Sequence, residues 1–273
     1  VGHSPDPDDA FMFYGIAAGK VDTEDFEIEQ VLEDIESLNR RAMAGELEVS
    51  AVSIHAYAHL ADRYALMSCG ASMGDGYGPC LVSREPLAAG DLARATIAVP
   101  GTLTSAFLAL ELFLGREFEH RVVPFDRILD AVQAGEADAG LIIHEGQLTY
   151  RSLGLHLVVD LGVWWGERTD GLPLPLGGNV VRRDLGDDAM RRLTAVLRRS
   201  IDYGLDHREE ALRYAIDFGR GLDGELNDRF VGMYVNDLTR DYGERGRRAI
   251  ERFLEEGQAA GRVPRLARLE FVG

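Results

Sequence analysis

The residues with the clearest chemical potential close an apolar run. Leu141-Ile142-Ile143 ends abruptly in His144-Glu145-Gly146. A histidine titrates near neutrality, so it can take or give a proton under ordinary conditions. A lone histidine is more often a structural hydrogen-bonding group, so its value depends on what the rest of the chain brings to it. A second set is Ser4-Pro5-Asp6-Pro7-Asp8-Asp9, three carboxylates in a loop stiffened by two prolines. A metal site built from Asp6, Asp8 and Asp9 is the sharp reading. The plainer one is that Asp6 or Asp8 caps the helix that follows and the carboxylates suit its positive end. No metal site is expected. A third set, Thr102-Leu103-Thr104-Ser105, opens a helix. Its hydroxyls and free N–H groups can cap the helix or hold an anion. His55 and His59 stand four residues apart, on one face of an expected helix over 54–64. No glutamate lies between them as in a zinc protease, so they read as surface or interface histidines.

The elements that must position these residues follow from periodicity. A continuous apolar run such as 139–143 reads as a strand buried on both faces, and His144 then lies at its carboxyl end. In open α/β sheets that is where ligands bind. Strands are expected at 96–101 and 121–125, with helices over 106–114 and 126–134 and a glycine stop at Gly135. This alternation argues for a parallel sheet. Upstream, 26–32 alternates like a half-buried strand, 34–44 is a helix stopped by Gly45, and 49–53 is a short strand. Strands follow at 64–71 and 78–83, joined by a glycine-rich connection without a phosphate-loop motif. Further on, 155–161 is a strand. Trp164 and Trp165 sit in a connection, where they could wall a pocket or simply pack. The region 187–261 is helical, with Met190, Leu193, Val196 and Leu197 at helical spacing.

Composition narrows the function. A formal charge of −17 over 273 residues disfavours a nucleic-acid binder or an anionic membrane surface. A pocket can still be locally suited to an anionic small molecule. With 46% hydrophobic residues the chain is ordinary for a soluble globular protein. No apolar run reaches the roughly 18 residues that span a bilayer. Two cysteines, Cys69 and Cys80, show no ligand spacing, and a reduced, cytoplasmic protein is the simplest reading. The chain starts at Val1 without an initiator methionine, which leaves a removed leader or a trimmed start open. The oligomeric state is not legible.

Assembled, these elements make an α/β protein with one unit, about 88–174, inserted into an outer unit formed by 1–85 and 177–273. Two crossings, near 83–94 and 173–179, would join them. That is a two-lobed, hinge-closing binder with mixed, mostly parallel sheets, flanking helices and an interlobe cleft. Ser4 to Asp9, Ser53 with its helix start, and Pro100 to Ser105 should meet His144 there.

Several motifs together resemble the 1,4-dihydroxy-6-naphthoate synthase family of the futalosine route to menaquinone. They are Ser4-Pro5-x-Pro7-x-Asp9 with Phe11-x-Phe13-Tyr14, the stretch 31–40, Gly140 to Glu145, Trp164-Trp165-Gly166-Glu167-Arg168-Thr169, and Leu172 to Gly177. The resemblance covers nearly the whole chain. It implies a periplasmic-binding-protein-like (type II) fold. It also implies a carbon–carbon lyase that converts cyclic dehypoxanthine futalosine to 1,4-dihydroxy-6-naphthoate without an organic cofactor. His144 falls on the family's proposed base, with Glu145 able to orient it. Ligand contacts fall on Ser53, Thr104 and Ser105, beside Ser4 and Asp9. Two departures stand out: Asp6 and Asp8 replace the family's usual Cys and Asn, and Gly146 stands in place of a serine. Added carboxylates beside an anionic substrate cost energy unless an arginine or hydrogen bond offsets them. The alternatives are a chorismate dehydratase of the same pathway and a non-catalytic solute-binding protein.

Overall fold

A computed structural model describes residues 1–88, 90–219, 224–266 and 268–273. The short apolar runs pair into two mixed sheets. The first holds β1 (Gly2–His3), β2 (Val31–Leu32), β3 (Val49–Ser53), β4 (Tyr64–Met67) and β5 (Ser72–Gly74), with the long β11 (Leu174–Arg182) and β12 (Phe271–Val272). Its order is β12-β4-β11-β3-β1-β2, with β5 on the outer end of β11. The second holds β6 (Cys80–Ser83), β7 (Ile97–Val99), β8 (His120–Val122), β9 (Ala139–Ile142) and β10 (His156–Asp160), in the order β10-β6-β9-β7-β8.

Parallel pairing sets up the site. β1 runs parallel to β2 and β3, and β7 runs parallel to β8 and β9. Each group therefore sends its carboxyl ends the same way. β9 is buried along its whole length, as its unbroken apolar run predicts. The antiparallel partners are the strands that follow a crossing. β6 pairs antiparallel with β9 and β10, and β11 pairs antiparallel with β3, β4 and β5. The sheets are thus mixed because each crossing segment enters its sheet running backwards.

The crossings lie earlier than the sequence places them. Cys80–Ser83, expected in the outer unit, is an interior strand of the second sheet, so the first crossing runs through 75–79. β6 ends at Ser83 and the next strand, β7, opens at Ile97 in the same sheet. The return crossing falls just before Leu174, because β11 is one strand from Leu174 onward and pairs with β5 at Gly74 and Met73. The two crossings touch. A Cβ on Gly162 would stand 1.9 Å from the carbonyl oxygen of Tyr77, so only glycine fits there.

The helices cover these sheets. α1 (Pro7–Ala17) is buried on nearly every side, with Ala10 to Tyr14 all in the core. It lies close enough to α8 (Asp187–Asp206) that a Cβ on Gly15 would be 2.9 Å from Ser200 Cα. α2 (Ile35–Ala44) is capped by Asp34, which accepts from the N–H groups of Glu36 and Ser37, and ends at Gly45 with φ 75°. α3 is only Ile54–Tyr57, shorter than the expected helix over 54–64. α4 (Ser105–Leu114) is capped by Thr104. α5 (Ile128–Gln133) and α6 (Gly146–Thr149) flank β9 in sequence. The tryptophan segment is α7 (Leu161–Arg168), not a connection: Asp160 caps it through the N–H groups of Gly162 and Val163. α9 (Arg208–Ala215), α10 (Gly224–Tyr234), α11 (Asp237–Arg240) and α12 (Gly243–Ala259) complete the helical C-terminal part. Residues 220–223 of the expected helical region lie outside the described residues.

The half-buried strand expected over 26–32 forms only at Val31–Leu32. Cys69 and Cys80 are buried and unbridged, and burial pushes both thiols up to about 12. Among the described residues no helix is long and apolar enough to cross a membrane.

Candidate active site

The carboxyl ends of β1, β3, β7 and β9 converge on one cavity of about 100 Å³. Ser4, Asp9, Ser53, Thr104, Ser105 and His144 all line it, so the structure brings the six expected residues together. The first-sheet wall is completed by Asp6, Asp8, Ser72, Gly177, Gly178 and Asn179. Tyr234 and Phe230 of α10 close one side.

Much of this wall bonds to itself. Asn39, fully buried on α2, donates to Ser53 Oγ at 3.1 Å and accepts from the Ser53 N–H at 2.9 Å. Thr104 Oγ1 donates to the Gly101 carbonyl at 2.9 Å and accepts from the Phe107 N–H at 3.2 Å, which is the helix cap. Ser105 Oγ donates to the Leu176 carbonyl at 2.5 Å and accepts from the His55 N–H at 3.1 Å. The two Ser105 bonds run between elements of the two sheets. His55 is therefore an interface histidine, as expected, and burial pushes its pKa down to about 4. His59 is exposed.

His144 sits two residues past β9. Its Nδ1 lies 3.2 Å from Asp6 Oδ2, and Phe125 meets the ring edge-on at a centroid distance of 4.2 Å. Its Nε2 is buried without a hydrogen-bond partner. Asp6 Oδ2 also accepts from Ser4 Oγ, while the Ser4 N–H donates to Asp9 Oδ2 at 2.7 Å. Asp6 was expected as a candidate helix cap, with a metal site alongside Asp8 and Asp9 as the sharper reading. It stands at the N-cap of α1, yet its side chain makes no cap hydrogen bond. Sequence spacing missed this pairing because the two residues are brought together only by tertiary structure. Tyr234 was missed as well; its hydroxyl donates to Gln147 Oε1 at 2.9 Å, a buried tie between α10 and α6.

Burial, then repulsion from Asp9 and Asp6, raises the Asp8 carboxyl well above its ordinary value. Burial raises Asp9 as well, against the attraction of His3 and the Ser4 hydrogen bond. Among the described residues, one group has ligand atoms close enough for a cation: Asp6, His144 and Glu145, within 4.8 Å of one another. The 3.2 Å contact between Asp6 and His144 already accounts for the approach of those two.

The raised Asp8 pKa has a consequence for stability. A carboxyl with a higher pKa in the fold than in the unfolded chain favours the fold at low pH, and that contribution is lost as pH rises through the folded value. Asp8→Asn removes the penalty. The variant should melt above the parent at neutral pH, and the gap should close as pH falls below the ordinary carboxylate value of 3.8. Melting curves across pH test this; a gap that is independent of pH refutes it.

A family model described as menaquinone biosynthesis matches residues 1–259. The chain belongs to that menaquinone biosynthesis family. A curated relative from Thermus thermophilus, 1,4-dihydroxy-6-naphthoate synthase, is 46% identical over 96% of this chain and 94% of its own length. A crystal structure of protein AF1704 from Archaeoglobus fulgidus superposes with a TM-score of 0.91 at 48% identity, covering 95% of this chain and 96% of that one. The alkanesulfonate-binding protein from Xanthomonas axonopodis matches with a TM-score of 0.70 at 14% identity, over 97% of this chain and 93% of its own. That likeness concerns the fold alone, and the fold is periplasmic-binding-protein-like. For a member of this family, the cavity between the sheets is where the geometry concentrates the reactive groups.

Proposed function

We propose that this chain is a carbon–carbon lyase of menaquinone biosynthesis that converts cyclic dehypoxanthine futalosine to 1,4-dihydroxy-6-naphthoate, with His144 as general base. The observation that carries the assignment of the base is the state of its ring. Nδ1 faces a carboxylate, and Nε2 is buried at the cavity wall with no partner. An imidazole anchored at one nitrogen and open at the other is well placed to abstract a proton, and an aromatic product requires proton loss. The relative's name supports the reaction and the product.

The rest of the cavity fits an anionic small molecule in a specific way. Among the described residues its lining contains no lysine or arginine. A substrate carboxylate would then be held by neutral donors, and the start of α4 behind Thr104 and Ser105 suits it. The raised pKa values of Asp8 and Asp9 reduce the repulsion their carboxylates would otherwise exert. A cavity of about 100 Å³ is smaller than the roughly 300–1,000 Å³ of ordinary ligand pockets. In this reading the two sheets are the cores of two lobes, 1–79 with 174–273 and 80–173, which part to admit substrate and close over it. The enzyme works in the cytoplasm without a metal or organic cofactor.

The test is direct. Purified protein is mixed with cyclic dehypoxanthine futalosine in EDTA-treated buffer, and naphthoate absorbance is followed. Product formation supports the reading; a folded, monodisperse sample that forms no product refutes it.

A further inference from the structure

We infer that Asp6 is a positioning residue that holds His144 in the Nδ1–H tautomer across the cleft, so that the Nε2 lone pair is presented to the cavity only when the two sheets are closed on each other. The catalytic part of this inference rests on His144 being the base. The pairing itself can be read without turnover.

The first observation is where the Asp6 carboxylate goes. At the N-caps of α2 and α7, Asp34 and Asp160 each accept two backbone N–H groups of the first turn. Asp6 holds the same position on α1 and accepts none. Its Oδ2 instead takes the Ser4 hydroxyl and lies 3.2 Å from His144 Nδ1. An aspartate at an N-cap ordinarily accepts from first-turn N–H groups, so this carboxylate has left its ordinary partner for one on the other sheet. The second observation is the ring. A carboxylate accepts, so the nitrogen that faces it carries the proton, and the other nitrogen keeps its lone pair. That second nitrogen is the buried, unpartnered Nε2. Phe125 against the ring edge limits rotation away from this pose. The third is topology. Asp6 follows β1 of the first sheet and His144 follows β9 of the second, so any rocking of one sheet from the other separates them. Base and orienter thus belong to opposite walls of the cleft, and closure assembles them.

The test uses the full chain labelled with ¹⁵N-histidine, unliganded and in alkaline buffer, with long-range ¹H–¹⁵N correlation to read each tautomer. His144 is assigned by the signal lost in His144→Gln. The parent should show Nδ1–H, and Asp6→Ala should shift the ring toward Nε2–H. Since Asp6 makes no cap bond, the alanine variant should fold; Asp6→Asn serves if it does not. In turnover, kcat should fall about 10- to 100-fold in either variant, with KM within a few-fold. An Nε2–H tautomer in the parent, or a tautomer unchanged in Asp6→Ala, overturns the inference. So does a tautomer that changes on adding EDTA, which would assign the pair to a metal ion. A parent that shows the Nδ1–H tautomer and its loss in Asp6→Ala, yet turns over no futalosine substrate, supports the pair and overturns only the lyase reading.

Discussion

His144→Gln is expected to lower kcat by about 10²- to 10⁴-fold, the usual contribution of a positioned acid or base, while substrate affinity stays within a few-fold. Glutamine is chosen over alanine because its amide can still donate to Asp6. The Asp6 side chain is only 4% exposed, so stranding its carboxylate would add a folding defect to the catalytic one. Steady-state turnover gives kcat, and calorimetric titration of the variant with substrate gives affinity. A variant that keeps turnover within tenfold of the parent removes His144 from the base role. One that loses binding and turnover together makes it a binding group instead.

Trp165→Ala is expected to cost about 3–5 kcal/mol of unfolding free energy, the range for truncating a fully buried aromatic. Trp165 has no exposed surface, its Nε1 donates to the Pro173 carbonyl at 3.1 Å, and Phe253 of α12 packs edge-on against it at 5.4 Å. Removing the indole opens a cavity and leaves that carbonyl without its donor. The same ring lies beside the return crossing into β11, so the loss falls where the two sheets join. Denaturant midpoints measure the change. Turnover per folded molecule should stay near the parent value, since neither Trp164 nor Trp165 lines the cavity. A loss below about 1 kcal/mol would contradict the packing described for α7.

Much of the fold was legible where its signals are local. The unbroken apolar run before His144 marked a buried strand, Gly45 and Gly135 marked helix ends, and Thr104 marked a helix start. The signal for α7 was also local but easily passed over: Asp160 just before Leu161 is a helix cap, and the paired tryptophans drew attention to a pocket instead. The expected strand over 26–32 failed for a different reason. Alternation marks a face that could be buried, but β2 is an edge strand, and only Val31 and Leu32 have β1 beside them to pair with.

The sequence by itself determined most of the elements, the residues at their carboxyl ends and the family. Each depends on neighbours within a few positions or on motifs read in order. Tertiary structure alone decided which of those residues face one another. It moved Cys80–Ser83 into the second sheet, because strand pairing depends on distant partners that periodicity does not name. It turned Asp6 from a helix cap into the partner of His144, because a carboxylate takes the best donor within reach, and that donor comes from the other sheet.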